Sequence, residues 1–237
     1  MPSIPDMPPC HIISYAEPVP YRSALAQQYA LAERRGRDEI PDTLLLLEHP
    51  PTITLGRGSR EADLLTDEAD LRARGIAVER VDRGGEVSYH GPGQLVGYPI
   101  LDLRSHGQDL HRYLRDLEEA LICTLAAWGV KGERVPGRTG VWVQDRKIAA
   151  IGIKVSRWVS MHGWALNVTT ELAPFRRDIV PCGIRDRDVT SLAEILEDRC
   201  PSRAEVEAVA VRAFAARFGV QPVFGPVFGA EVGIITP

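Results

Sequence analysis

The chain has 237 residues, which at roughly 100–200 per domain is one large domain or two small ones. Hydrophobic residues make up 44% and charged residues 25%, an ordinary globular composition that excludes collagen, a disordered tail protein and a disulfide miniature. With 28 basic against 32 acidic residues the formal net charge is −4, so bulk electrostatics makes no case for nucleic acid.

The first ten residues carry neither the basic segment nor the apolar stretch of a secretory leader, and a cytoplasmic location is expected. Residues 1–12 begin Pro-rich and read as a flexible tail. Tyr21 to Arg35 has a helical composition and stops at Gly36, a natural C-terminal cap. Leu44–Glu48 and Thr52–Leu55 read as short strands around His49-Pro50-Pro51. The apolar run Leu44–Leu47 is far too short for the roughly 20 residues that span a bilayer, so no membrane partner is expected. Thr66 opens a short helix through Arg74 that Gly75 ends, and Ile76–Val81 is the next strand.

Arg83-Gly84-Gly85 and Gly91-Pro92-Gly93 are turns that enclose Glu86–His90. Leu95–Leu103 follows as a strand in which Pro99 demands an edge or a bulge. Asp109–Trp128 is the clearest helix, with Leu110, Leu114, Leu117, Leu121, Leu125 and Trp128 on one stripe and Gly129 at its end. Val141–Val143 and Ile148–Val155 form a hairpin across Gln144–Lys147, and Met161–Thr169 is a further strand. Ser191 with Glu194, and Ser202 with Glu205, are capping boxes that open two more helices. Strand clusters mixed with irregularly placed helices predict an α+β fold, a mixed or antiparallel sheet flanked by helices. Residues 13–220 are expected to form one domain, with 221–237 as a C-terminal tail.

Cys10, Cys123, Cys182 and Cys200 form no C-x-x-C pair, and the six histidines show no ligand spacing, so no metal site is expected. Cys10 falls in the tail, Cys123 lies off the leucine stripe of its helix, and Cys200 joins two helices. Cys182 sits on a turn, Val180-Pro181-Cys182-Gly183-Ile184. There a following glycine lets a substrate carbonyl approach backbone N–H donors. A thiol reacts as thiolate and needs a base or cation nearby; Cys182 is thus a nucleophile or a structural thiol. Candidate bases are Lys147, Lys154, His90 and His162. Only three of the 28 basic residues are lysines, and a shielded lysine, unlike an arginine, can give up its proton. In a regular strand Lys147 and Lys154 point to opposite faces, unless Gly152 marks a bulge. Lys154 shares the face of Ala150 and Gly152, and spacing leaves the choice open.

Arg83 through Gln94 lacks the glycine spacing of a P-loop or a dinucleotide fold. It is either a binding loop or a tight double turn with Tyr89 packed inside. His162 and Trp164 are open to the same two readings.

Taken together, Arg83-Gly-Gly-x-x-x-Tyr89-His90-Gly-Pro-Gly-Gln94, Gly140-Val-Trp-Val143, Lys147-Ile-Ala-Ala-Ile-Gly152, His162-Gly-x-Ala-Leu-Asn167 and Pro181-Cys182-Gly183-Ile184 resemble the lipoyl(octanoyl) transferases. The pieces stand in family order. The resemblance implies a fold related to biotin and lipoate protein ligases, with a pocket along one face of the sheet. It implies that octanoyl passes from the thioester of acyl carrier protein to Cys182, and then to a lysine of a lipoyl domain. Recipients would be the 2-oxoacid dehydrogenase complexes and the glycine cleavage H protein, in the first step of lipoate assembly, with no cofactor.

Position by position, the resemblance makes Cys182 the acyl-thioester nucleophile and Lys147 the residue that lowers its pKa. It lines the acyl pocket with Arg83, Gly84, Gly85, Glu86, Val87, Ser88, Tyr89 and His90, with Ala150, Ile151 and Gly152, and with Gly163, Trp164 and Ala165. Burying an octanoyl tail at ~0.8 kcal/mol per CH₂ would gain around 5 kcal/mol. Thioester exchange is nearly isoenergetic and the final amide is more stable, so no ATP is required. The rival readings are an ATP-dependent lipoate or biotin ligase, a thioesterase, and a non-catalytic lipoyl-domain-binding module.

Overall fold

Leu44 to Leu47 are all fully buried, which a strand achieves only where both faces of its sheet are covered. The computed structural model describes residues 7–180 and 188–225. In chain order its elements are β1 (Pro9–Ser14), α1 (Tyr21–Gly36), β2 (Asp42–Leu47), β3 (Thr52–Leu55), α2 (Glu68–Ala73), β4 (Ala77–Arg80), β5 (Val87–His90) and β6 (Gln94–Ile100). There follow α3 (Leu110–Ala126), β7 (Glu133–Val135), β8 (Arg138–Val143), β9 (Arg146–Ser156), β10 (Val159–Asn167), α4 (Ala173–Arg177), α5 (Leu192–Leu196), α6 (Arg203–Phe218) and β11 (Gln221–Phe224).

An eight-stranded sheet runs β11-β1-β2-β6-β10-β9-β8-β7, and a three-stranded sheet runs β4-β3-β5. In the large sheet β1 is parallel to both β2 and β11, and the other pairs are antiparallel. Alternation along β2 divides the core: Leu44 and Leu46 join the cluster under α3 and α6, while Leu45 and Leu47 join the one under α1. Ile53, Leu71, Tyr89 and Phe175 make a third cluster against the small sheet. The fold is therefore α+β, a mixed sheet flanked by helices, and no helix among the described residues is long and apolar enough to cross a membrane.

Several expectations need correction. The supposed tail, residues 1–12, already contains most of β1, whose Cys10–Ser14 pair with Asp42–Leu46. Cys10 is fully buried there, and burial pushes its thiol up to about 12. Pro9 at the first strand position masks the start of that strand. The C-terminal tail likewise begins as a strand, since Gln221–Phe224 pair with Pro9–Ile12. Asp67, not Thr66, caps α2, because the Thr66 hydroxyl donates to the buried carboxylate of Asp178. Leu110 heads the leucine stripe but is 42% exposed, as α3 begins there and reaches the core only from Tyr113 onward. β6 is not an edge strand. Its ladder with β10 stops at Gly97, before Pro99, and His162 facing this break has φ +56.

The turn between β2 and β3 buries His49 completely. Its Nδ1 lies 2.6 Å from the Val19 carbonyl, an acceptor, so that nitrogen carries the proton. Nε2 then accepts from the Tyr98 hydroxyl at 2.7 Å. Burial pushes the His49 pKa down from 6.5 to about 4. Between those values the unfolded chain takes up a proton that the folded chain refuses. The stabilisation is thus complete above pH 6.5 and lost as pH falls toward 4, on the order of 3 kcal/mol from this residue. Urea midpoints should decline steadily across that interval, and a flat profile would refute the assignment.

Candidate active site

A cavity of about 480 Å³ lies between the β9–β10 ladder and the segment from Arg83 to His90, a size within the roughly 300–1,000 Å³ of small-molecule sites. The two walls meet through backbone. The Gly84 amide donates to the Ile153 carbonyl at 2.8 Å, and a Cβ on Gly152 would stand 2.7 Å from the Gly84 oxygen. Glycine at that position is thus a steric requirement. Arg57 and Gly58 pin the outer side of the turn, donating to the carbonyls of Arg83 and Gly85.

Arg83 is buried, and its Nη2 donates to both the carbonyl and the hydroxyl of Thr54. From there the polar groups run in one chain. Thr54 Oγ1 donates to His90 Nε2 at 3.2 Å, and His90 Nδ1 donates to Gln94 Oε1 at 2.8 Å. Gln94 Nε2 donates to Asn167 Oδ1, and Asn167 Nδ2 to the Thr190 carbonyl. The Thr190 amide donates in turn to the Lys147 carbonyl. Burial and the neighbouring charges hold the His90 pKa well below its ordinary value, so the ring is a neutral link in this chain.

Lys147 is buried and lines the cavity with Ala150 and Gly152. Strand parity alone would turn it away from them. The ladder slips by one residue between Val141–Ala149 and Trp142–Lys147, and the extra residue, Ile148, reverses the alternation. The ladder is thus irregular at Ile148, whereas Gly152 keeps regular pairing with Gly163. Lys147 Nζ sits 4.9 Å from the centre of the Trp142 ring. Beneath it Gly140, at φ +123, leaves room that a Cβ would take, 3.4 Å from Lys147 Cε. The Gly140 amide donates to Glu118, a fully buried carboxylate of α3 that also receives Arg115 and Arg134.

Lys154, the rival amine, points elsewhere. It pairs with Asp82 at 2.5 Å, a bond that raises its pKa and holds it protonated. Asp82 also receives the Tyr29 hydroxyl and His162 Nε2; burial opposes its charge, but these partners keep it well below the carboxylate range. His162 lines the cavity and accepts the Tyr21 hydroxyl on Nδ1 at 3.4 Å. Burial lowers the His162 pKa despite Asp82 and pushes the Tyr21 phenol up to about 12.

Of the pocket residues expected from the sequence, Arg83, Gly84, Gly85, Glu86, Val87, Ser88 and His90, then Ala150, Ile151, Gly152, Gly163, Trp164 and Ala165, all line this cavity. Tyr89 does not: it packs edge-on against Phe175, ring centres 5.4 Å apart, in the third core cluster. Adjacent strand residues face opposite ways, and Ser88 and His90 take the cavity side. Trp164 lies over Gly97, where a Cβ would stand 2.2 Å from its ring. Cys182 lies outside the described residues, but the chain is held on both flanks. Val180 donates to Asp63, while Lys147 receives Thr190 and donates to Asp188. Of the other thiols, Cys123 is exposed and Cys200 half-buried.

Sequence reasoning missed Tyr21, Tyr98, Leu114, Gly137, Arg138, Thr139 and Ile153, which complete the lining. Tyr21 opens α1, and nothing in its own segment relates it to residues some 60 to 140 positions away. Only the tertiary fold does.

Residues 20–215 match the family model described as the lipoyl protein ligase A/B catalytic domain. A protein of Gloeobacter violaceus named octanoyltransferase is 54% identical over 206 residues, covering 86% of this chain and 88% of its own. One of the same name from Chloroflexus aggregans is 51% identical over 208 residues, covering 86% and 93%. Among solved structures, a putative lipoate protein ligase of T. acidophilum with bound lipoic acid superposes with a TM-score of 0.74 at 17% identity, covering 94% of this chain and 90% of that one. A biotin protein ligase from Aquifex aeolicus superposes at 0.56 with 15% identity, covering 88% and 70%; these two likenesses bear on the fold. The chain belongs to the octanoyltransferase family, within the lipoyl protein ligase A/B catalytic domain family.

Proposed function

We propose that this acyltransferase moves an octanoyl group from the thioester of octanoyl-acyl carrier protein to a lysine of a lipoyl domain, through a thioester on Cys182. The acceptors are the lipoyl domains of 2-oxoacid dehydrogenase complexes and the glycine cleavage H protein. One observation carries the reading: a buried amine, Lys147, faces an acyl-sized cavity while its own backbone pairs with Asp188 and Thr190, just after the segment that holds Cys182. The names of the close relatives support octanoyl as the group moved.

In this scheme Lys147 Nζ takes the proton of Cys182, and the thiolate attacks the donor carbonyl carbon. The tetrahedral centre collapses with cleavage of the donor carbon–sulfur bond, and the departing thiolate recovers the proton from Lys147. A neutral lysine amine of the acceptor then attacks the Cys182 thioester. As the second carbon–sulfur bond breaks, the surplus proton on nitrogen passes through Lys147 to the Cys182 sulfur. Enzyme and proton count return to their starting state, and no nucleotide is consumed.

Incubation with octanoyl-loaded carrier protein should add one octanoyl mass to the intact chain, removable with hydroxylamine and absent in Cys182→Ser. No adduct under single-turnover conditions would end the covalent scheme, and loading from free octanoate only with ATP would instead identify a ligase. Lys147→Arg replaces the proton acceptor by a permanent cation, and should slow adduct formation by roughly 10²-fold or more. Lys154→Arg retains the half-buried ion pair with Asp82 and should cost less than about tenfold. Equal losses at the two positions would show that the wrong amine has been assigned.

A further inference from the structure

The cavity follows the β9–β10 ladder, whose pairs set its order: Ala150 with Ala165, Gly152 with Gly163, and Ile153 with His162. Lys147 stands at one end of that series. Tyr21 and His162 stand at the other. Ala150 to Ile153 is three strand steps, roughly 10 Å. The tail of an extended octanoyl group, with links of about 1.5 Å shortened by their zig-zag, spans roughly 9 Å.

We propose that Tyr21, braced by His162, is the end wall of the acyl cavity and sets the length of chain that the enzyme accepts. This rests on the proposed transfer reaction, in which the thioester carbonyl lies beside Lys147.

The wall is held from every side. Tyr21 donates to His162 Nδ1, and His162 Nε2 donates to Asp82 at 3.0 Å. The His162 amide donates to Gln28 Oε1 at 2.7 Å. The rings of His49 and His90 stand 4.9 and 5.7 Å from the Tyr21 ring. His162 itself has φ +56, a left-handed conformation that persists only where its surroundings enforce it. Asp82 and Lys154 back the wall from outside. A longer chain would have to part the Tyr21–His162 bond and leave the buried His162 Nδ1 without its donor. Between wall and amine, Ala150, Gly152 and Gly163 offer almost no side chain, so little interrupts the path before Tyr21.

The test compares acyl-enzyme formation from hexanoyl-, octanoyl-, decanoyl- and dodecanoyl-carrier protein, followed by intact mass. Tyr21→Leu should raise the dodecanoyl-to-octanoyl rate ratio roughly tenfold or more, whereas Tyr21→Phe, which keeps the ring but loses the bond to His162, should raise it by a clearly smaller factor. A Tyr21→Leu protein that takes octanoyl but keeps the parental ratio overturns the proposal. Should that variant not fold, Ala165→Val fills the channel short of the wall and should shift preference toward hexanoyl by a similar factor. An unshifted preference there overturns the proposal as well. If the parent forms no adduct at all, the transfer reading fails, and calorimetry with free octanoate and dodecanoate then judges the wall alone. Tighter dodecanoate binding by Tyr21→Leu than by the parent upholds it, and unchanged binding refutes it.

Discussion

A single extra residue in one strand determines what this site can do. Without the slip at Ile148, Lys147 would face the α3 side of the sheet with Ile151, among aliphatic side chains. With it, the amine shares a surface with Ala150 and Gly152 and meets the Trp142 ring. The same residue's N–H and C=O are still needed, and they are taken by Asp188 and Thr190 instead of being left bare. One irregularity thereby serves two ends: it aims a side chain and it supplies the docking edge for the stretch from Asp188 to Thr190.

The polar groups around the cavity obey a stricter accounting than its apolar lining. From Arg83 through Thr54, His90, Gln94, Asn167 and Thr190, each donor has an acceptor, and the neutral histidine tautomers follow from which partners can only accept. A buried network of this kind is tolerable only when complete. It fixes the turn at Arg83 relative to β10 and to the strand-like stretch beside Lys147. Gly152, by contrast, lacks a side chain because the Gly84 backbone passes close to it.

Much of this fold is legible in the sequence, for reasons that differ by residue. Helical stripes and capping boxes are local, so α3 and α6 are readable within a few residues of their ends. The short motifs around Arg83, Lys147 and Gly163 point to a cavity wall because family resemblance links segments that physics cannot link from spacing alone. β1 and β11 escape sequence reasoning because each is too short to show alternation, and each is stabilised by the other. Tyr89 is misplaced by its motif, which records which residues occur together and not which way each side chain points. Strand parity puts Lys154 on the face of Ala150 and Gly152, and only the bulge brings Lys147 round to join them.

Glu118 ties these levels together. It projects from the inner face of α3, is wholly enclosed, and grips the Gly140 amide directly beneath Lys147. Helix packing and amine position are therefore mechanically one variable. Anyone who redesigns that helix for heat tolerance inherits a constraint invisible from its exposed surface: substitutions that let it roll or slide would unseat the floor under Lys147, however well they fill the core.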